Sequence, residues 1–171
     1  MPCCVASSRL TVELYRYGLS GKQCALIEDV GAPEVLDLAE ELRRICIKNS
    51  AVSLAAPQVG VYLQLAVLMR PGGKVETLIN PRIVNLGARD LLETETCLAV
   101  PGAAPRVWRS EIVQLRSDPD SGQIRTYKGA LARAALHEID HLNGVYFLDR
   151  CQIPGRKAAL QAYAQWLKNN R

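Results

Sequence analysis

Both histidines of this 171-residue chain, His137 and His141, lie in the segment LHEIDHL at residues 136–142. A spacing of four residues on a helix places two side chains about 40° apart around the axis, so both imidazoles project from one face. Such a pair suits two adjacent ligands of a tetrahedral metal ion, and Glu138 is placed to handle the protons of a metal-bound water. The segment therefore predicts a helix that carries the metal site of a hydrolase.

Two histidines leave this predicted site incomplete, because a catalytic metal usually has three protein ligands and one open position. Position 147, where one class of HExxH enzymes has a third histidine, holds Phe147, and the chain has no glutamate after Glu138. The third ligand is therefore expected upstream, as a cysteine, an aspartate or a glutamate. Cys97 is the best placed of the six cysteines, because it lies in a turn-bounded segment between predicted strands.

The order of the predicted elements indicates an α+β fold. Three helices are predicted, over residues 33–48, 129–142 and 156–169. The predicted strands lie over residues 61–69, 75–80, 81–86, 111–115 and 123–127. Neighbouring strands joined by turns, such as those at 70–74 and 118–122, favour antiparallel pairing over a βαβ alternation. We predict antiparallel sheets around a central HExxH metal-binding helix, with an N-terminal and a C-terminal helix.

Length and composition are those of an ordinary globular protein, and residues 1–171 are predicted to form a single domain. No segment approaches ~18 uninterrupted apolar residues, so no membrane association is predicted. The net charge is only +4 and aromatic residues make up 5% of the chain, so direct nucleic-acid binding is not predicted. The cysteines show no C-x-x-C pair and are expected to be mostly reduced. Residues 1–20 are interpreted as a flexible tail or the remnant of a targeting segment.

Three motifs make the chain similar to peptide deformylases. The family motif G-x-G-L-A-A-P-Q is matched by AVSLAAPQ at residues 51–58. The motif E-G-C-L-S is matched by ETCLA at residues 95–99, and Q-H-E-x-D-H-L-x-G is matched by LHEIDHLNG at residues 136–144. The motifs occur in the family order, and the similarity extends over roughly residues 30–150.

The resemblance implies an enzyme that removes the formyl group from the N-terminal formylmethionine of nascent peptides and releases formate. It implies that Cys97, His137 and His141 bind one divalent metal ion, with Glu138 as the general base and then the proton donor. The family typically uses Fe(II), and Zn(II) or another divalent ion can substitute, whereas the ligand set alone suggests zinc.

The resemblance also assigns the groups that stabilise charge and bind the peptide. The Gln58 amide and the Leu98 backbone N–H are expected to stabilise the oxyanion, which fits the need for fixed donors where negative charge develops. The peptide is expected to bind extended beside the first motif, with contacts to Val52 and Ser53.

Each motif differs from the family pattern at positions next to the implied metal ligands and catalytic residues, which are themselves unchanged. The substituted positions are Ala51, Ser53, Thr96, Ala99 and Leu136. The first three replace glycines, and the side chains at positions 53 and 96 are expected to narrow the formyl pocket or to shift the peptide. A family arginine also falls at an alanine, position 104, with Arg106 and Arg109 as candidates to replace it.

These departures leave three functions open. The first is a working deformylase with altered efficiency or substrate range. The second is a deformylase-fold protein that keeps the metal site and acts as a peptide-binding module, and the third is a different hydrolase, such as an amidase or peptidase. Expected partners are nascent chains, with possible ribosome association. A mitochondrion or other organelle is the predicted location, or the cytoplasm if the source is bacterial.

Overall fold

Three α-helices and eight β-strands make up the regular structure of residues 21–118 and 122–170, which are the residues that the computed structural model describes. The helices are α1 (Pro33–Lys48), α2 (Ala130–Leu142) and α3 (Ile153–Asn169). The strands are β1 (Ser53–Ala55), β2 (Leu65–Met69), β3 (Val75–Ile79), β4 (Arg82–Leu86), β5 (Asp90–Thr94), β6 (Arg106–Ser110), β7 (Ile112–Arg116) and β8 (Ile124–Lys128). The interpretation of residues 1–20 and the middle of the predicted turn at 118–122 lie outside the described residues.

The strands form three antiparallel sheets, in the orders β1-β2-β3, β4-β7-β8 and β5-β6. The prediction of an α+β fold with antiparallel sheets and three helices is confirmed. In the described part of the chain, no helix has the length and apolar character needed to cross a bilayer. The four described cysteines are free thiols.

Helix α1 covers the first sheet with one apolar stripe. Its buried residues are Val35, Leu38, Leu42, Ile45 and Cys46. They share one cluster with Leu54 of β1 and with residues of β2 and β3. The helix begins at Pro33, where the missing N–H costs nothing because a first-turn N–H has no intrahelical acceptor. The predicted bounds of this helix are confirmed.

Helix α2 lies between the first two sheets, and every residue from Ala134 to Leu142 is buried. Its apolar side packs in one cluster with residues of β2, β3, β7 and β8. The helix gives way to Gly144, whose φ is +73°. A Cβ at this position would meet the backbone of Gly21 and Lys22 at 3.0 Å, so only glycine fits. The glycine that closes the third motif is therefore required by packing.

Helix α3 supports the loop between β5 and β6. Ala159 and Tyr163 of the helix pack in one cluster with Cys97, Val100 and Phe147. The helix begins at residue 153, three residues before the predicted start, because a proline is tolerated in the first turn of a helix.

One predicted strand begins later than expected, and one pair of strands was not predicted. The strand predicted over residues 61–69 begins only at residue 65, and the preceding residues form a loop with one isolated bridge. The two-stranded ribbon of β5 and β6 was not predicted, because both strands carry charged or polar residues at their ends and are partly exposed. This ribbon positions the loop that carries Cys97.

Candidate metal centre and adjoining cavity

Cys97, His137 and His141 bring their ligand atoms together in the structure. The histidines lie on successive turns of α2, and Cys97 lies in the loop between β5 and β6. Its Sγ is 3.3 Å from Nε2 of His141, which lies 3.1 Å from Nε2 of His137. The three ligand atoms lie within 4.8 Å of one another, and all three side chains are buried.

The spacing of these atoms fits one metal ion. Tetrahedral bonds of about 2.0–2.1 Å to nitrogen and about 2.3 Å to sulfur place neighbouring ligand atoms about 3.3–3.6 Å apart. The two short distances around His141 lie close to that range. A thiolate and two imidazoles form a donor set that binds zinc and other first-row divalent metals. Three ligands leave one coordination position for water or substrate.

Glu95 orients His137 from the side opposite the ligand atom. Its Oε1 lies 2.6 Å from Nδ1 of His137, so a proton on Nδ1 leaves Nε2 free to bind a metal. Arg109 donates two hydrogen bonds to the same carboxylate, at 2.7 and 3.0 Å. Burial raises the pKa of Glu95, but the hydrogen bonds from His137 and Arg109 outweigh it and hold the pKa well below its ordinary value. The carboxylate therefore stays ionised.

Arg109 ties this carboxylate to helix α2. It also donates to Asp140, at 2.5 Å, and Asp140 accepts a hydrogen bond of 2.6 Å from Arg150. These contacts hold Arg109 between Glu95 and α2. Arg106 donates to a backbone carbonyl of β5 on the protein surface. Neither of these two arginines lines the cavity described below.

The two imidazoles differ in their affinity for a proton. Burial lowers the pKa of His137, but hydrogen bonds to Cys97 and Glu95 outweigh it and raise the pKa well above its ordinary value. Burial and the neighbouring His137 lower the pKa of His141 well below its ordinary value. His141 is therefore neutral, which is the state in which an imidazole binds a metal.

Glu138 lies beside the ligand cluster with one free oxygen. The side chain is 1% exposed, and its Oε2 has no hydrogen-bond partner among the residues that the structure describes. Burial raises the pKa of Glu138, while the charge of His137 and a hydrogen bond from Ser53 act in the opposite direction. A buried carboxylate oxygen without a partner is costly, which indicates that a ligand completes its bonding.

Gln58 directs its amide nitrogen toward the same cluster. It lies in a short 3₁₀ helix, Ala56–Val59, and its Oε1 accepts a hydrogen bond of 2.7 Å from the backbone N–H of Ala55. Because this contact fixes the carboxamide, Nε2 faces Sγ of Cys97 at 3.4 Å. Leu98 follows Cys97 and lines the cavity together with Gln58. The two predicted oxyanion donors are thus both at the cavity.

A cavity of about 610 Å³ opens beside the ligand cluster. Val52 and Ser53 line it at the start of β1, together with Cys97, His137 and Glu138. Among the described strands, β1 pairs only with β2, so its other edge is free. A free strand edge can pair with an extended peptide.

The residues that replace the family glycines cause no backbone strain. Ala51, Ser53 and Thr96 all line the cavity, and none of them has a positive φ. Glycine is required only where φ is positive or where a Cβ finds no space. The effect of these substitutions is therefore the added side-chain volume in the cavity.

Sequence reasoning missed two groups at this site. The sequence identified Glu95 only as the first residue of the second motif and gave it no role, although its carboxylate contacts the ring of His137. Arg133 lines the cavity and donates to Glu95 at 3.0 Å. Its position, four residues before His137 on the same helix, was the signal that could have identified it.

The sequence matches a model of a known protein family. The model described as polypeptide deformylase matches residues 13–157. The peptide deformylase of Synechococcus sp. strain CC9311 is 41% identical over 122 residues, which are 68% of this chain and 60% of that protein. The peptide deformylase of Microchaete diplosiphon is 34% identical over 135 residues, 75% of this chain and 70% of that protein. The chain therefore spans about 60–70% of the length of these relatives.

Solved structures show the same likeness in three dimensions. The crystal structure of peptide deformylase from Ehrlichia chaffeensis superposes with a TM-score of 0.83 at 25% identity, covering 93% of this chain and 98% of that one. A peptide deformylase from Synechococcus elongatus, in complex with actinonin, superposes with a TM-score of 0.81 at 29% identity, covering 88% and 86%.

Proposed function

Because the chain belongs to the peptide deformylase family, we propose that it is a metal-dependent hydrolase that removes the formyl group from N-terminal formylmethionine. The products are formate and the peptide with a free amino group. The observation that carries this proposal is the buried cluster of Cys97, His137 and His141, with the unpartnered Oε2 of Glu138 beside it. The thiolate and the two imidazoles would bind the metal ion, and the Glu138 carboxylate would transfer the protons that amide hydrolysis requires.

Cys97, His137 and His141 would hold one divalent ion, and α2 would be the central metal-binding helix of the fold. We propose Fe(II) as the native ion, with Zn(II) or another divalent ion as substitutes in a purified sample. A divalent ion bound there supplies Lewis acidity, which brings the pKa of a bound water close to neutrality. Glu95 supports the site by holding His137 in the tautomer that binds through Nε2.

Glu138 is the proposed acid and base. Its Oε2 takes a proton from the water that attacks the formyl carbon, and then returns a proton to the departing amine nitrogen. Burial raises its pKa toward the range in which one carboxyl group can do both steps. The carboxylate is held on a fully buried turn of α2, so its approach to the formyl group is fixed.

Gln58 and Leu98 are the proposed oxyanion donors. The Nε2 amide of Gln58 and the backbone N–H of Leu98 would stabilise the negative charge that develops on the formyl oxygen. The contact between Oε1 of Gln58 and the backbone of Ala55 supports this role, because it sets the amide before substrate arrives. Val52 and Ser53 would contact the peptide along the free edge of β1.

The proposed substrates are nascent chains that begin with formylmethionine. Such chains occur in bacteria and in mitochondria or plastids, and the curated relatives named above are bacterial. Residence in an organelle, association with the ribosome and the single-domain arrangement over residues 1–171 stay predictions.

Formate release tests the proposed function. Anaerobically purified, Fe(II)-loaded protein is expected to release formate from formyl-Met-Ala-Ser. The variant Glu138→Gln keeps the shape of the side chain and is expected to retain one equivalent of metal while losing about 10²-fold or more in turnover. Glu41→Gln on α1, the same change at a partly exposed carboxylate far along the chain from the metal ligands, serves as the matched control.

Two outcomes would contradict the proposal. Equal turnover by the Glu138→Gln variant would exclude this carboxylate as the base. Wild-type protein that binds one metal ion and the peptide but releases no formate would favour the peptide-binding module instead.

A further inference from the structure

One face of helix α2 forms a wall of the cavity. The residues that line it from this helix are Ala130, Arg133, Ala134, His137 and Glu138. Their spacing of i, i+3, i+4, i+7 and i+8 is that of a single helical face. The N-terminal half of this face has two alanines, which leave space, and one arginine. Arg133 is thus the large side chain of the wall next to the metal ligands.

The guanidinium of Arg133 is held in place but keeps one donor. Its side chain is 12% exposed and forms ion pairs with Glu93 at 3.2 Å and Glu95 at 3.0 Å. It also donates to the backbone carbonyls of Leu91 and Val107, at 2.9 and 3.0 Å. These contacts use four of its five N–H groups. In the described part of the chain the fifth, on Nη2, has no acceptor.

The first side chain of a substrate must lie in this same cavity. The formyl carbon has to approach Glu138, and the Cα of the first residue follows within about 2.5 Å, because only the amide nitrogen separates them. In a peptide that pairs with the edge of β1, side chains stand perpendicular to the strand. The space beside Ala130 and Ala134 can receive such a side chain, and Arg133 would lie at its wall.

We propose that Arg133 is a specificity-determining residue that favours formyl peptides whose first side chain carries a hydrogen-bond acceptor near its end. This inference rests on the proposed function and names the substrate class of that site. The acceptor would bond the free N–H of Arg133, whereas a purely apolar side chain would cover this N–H and leave it without a partner. Methionine has a weakly accepting thioether and lies between these cases.

Three substrates of similar size separate these cases. They are formyl-Xaa-Ala-Ser peptides with norleucine, methionine or methionine sulfoxide as the first residue. The sulfoxide oxygen is a strong acceptor, and norleucine has none. Loss of a hydrogen bond to a charged donor typically lowers an equilibrium or rate constant by about tenfold or more. We therefore expect Arg133→Leu to lower the ratio of kcat/KM for the sulfoxide peptide to that for the norleucine peptide about tenfold. Arg133 is not expected to be needed for metal binding, because Arg109 still holds Glu95.

The wild-type protein itself gives a test that does not depend on the stability of Arg133→Leu, because a sulfoxide-to-norleucine ratio of one or less would overturn the inference. Two further variants serve as controls. Glu93→Ala releases the Nε–H of Arg133 and leaves its other contacts in place, so the sulfoxide-to-norleucine ratio is expected to be kept or to rise. Glu93 is half-exposed, so this variant is expected to keep the fold. Arg44→Leu on α1 removes an exposed, ion-paired arginine and is expected to leave the ratio unchanged.

The outcomes are distinguishable. A folded Arg133→Leu variant whose ratio changes less than twofold would overturn the inference, and so would a Glu93→Ala variant whose ratio falls as far as that of Arg133→Leu. In both cases formate from the methionine peptide would leave the proposed function intact. Absence of formate from wild type with all three peptides would instead overturn the proposed function, and this inference with it.

Discussion

The carboxylate of Glu95 is expected to stabilise both the fold and the metal site, and Glu95→Gln tests this. The substitution keeps the shape of the side chain but removes a buried negative charge that faces His137, Arg109 and Arg133. Removing one partner of a buried ion pair typically costs about 3–5 kcal/mol, because the other charge is left uncompensated. Arg109 keeps Asp140 as a partner, so we expect the lower end, about 3 kcal/mol.

Urea unfolding of metal-free protein measures this loss of stability. With an m-value of about 2–3 kcal/mol/M, 3 kcal/mol lowers the unfolding midpoint by about 1–1.5 M. Competition with a chelator measures the second effect, because loss of the carboxylate that orients a metal-binding histidine typically weakens metal affinity 10–100-fold. Both effects follow from a single buried group.

Glu93→Gln is the matched control, because Glu93 lies two residues away and makes one exposed contact with Arg133. An exposed pair of this kind contributes about 0–1 kcal/mol. Equal midpoints for Glu95→Gln and Glu93→Gln would refute the reasoning. A lowered midpoint with unchanged metal affinity would refute only the role of Glu95 in orienting His137.

Three further predictions concern the rest of the fold. Burial raises the pKa of Glu76, but hydrogen bonds from one tyrosine and two arginines outweigh it and lower the pKa below its ordinary value. The stability advantage of wild type over Glu76→Gln in urea should therefore be full above the unfolded-state pKa of about 4.3 and be lost as the pH falls through the lower pKa of the folded state. Gly144→Ala should lower the free energy of unfolding by more than about 1 kcal/mol. Gly155→Ala should not, because a Cβ added there meets no atom within 4 Å, and equal melting temperatures for the two variants would contradict this prediction. Burial raises the pKa of Cys46 to about 12, so this thiol should react with a disulfide reagent at pH 8 only after unfolding, as mass spectrometry of labelled protein would show.

The elements that sequence predicted best are those with a strong periodic pattern. Helices α1 and α2 carry apolar residues at helical spacing between recognisable ends, and their bounds match within a residue. Strands β5 and β6 have little such pattern, because a two-stranded ribbon buries only part of its surface. Their pairing depends on contacts between residues far apart in the chain, which a local pattern does not contain.

A similar limit applies to the candidate site. His137, Glu138 and His141 could be placed on one face because a helix fixes their relative positions. The contact between Glu95 and His137 joins residues 42 positions apart, and no spacing rule predicts it. The side chain of Arg133 could have pointed to solvent or to the cavity, and only the packing of α2 against the ribbon decides between them.

The burial of α2 between two sheets also fixes when the centre can form during synthesis. All eight strands precede this helix in the chain, and His141 follows Cys97 by 44 positions. At about 5–20 residues per second, the last donor leaves the ribosome roughly 2–9 seconds after the first. During that interval the inner faces of two sheets lack the helix that covers them. The three side chains therefore come together only when α2 docks between the sheets, after all eight described strands have been synthesised.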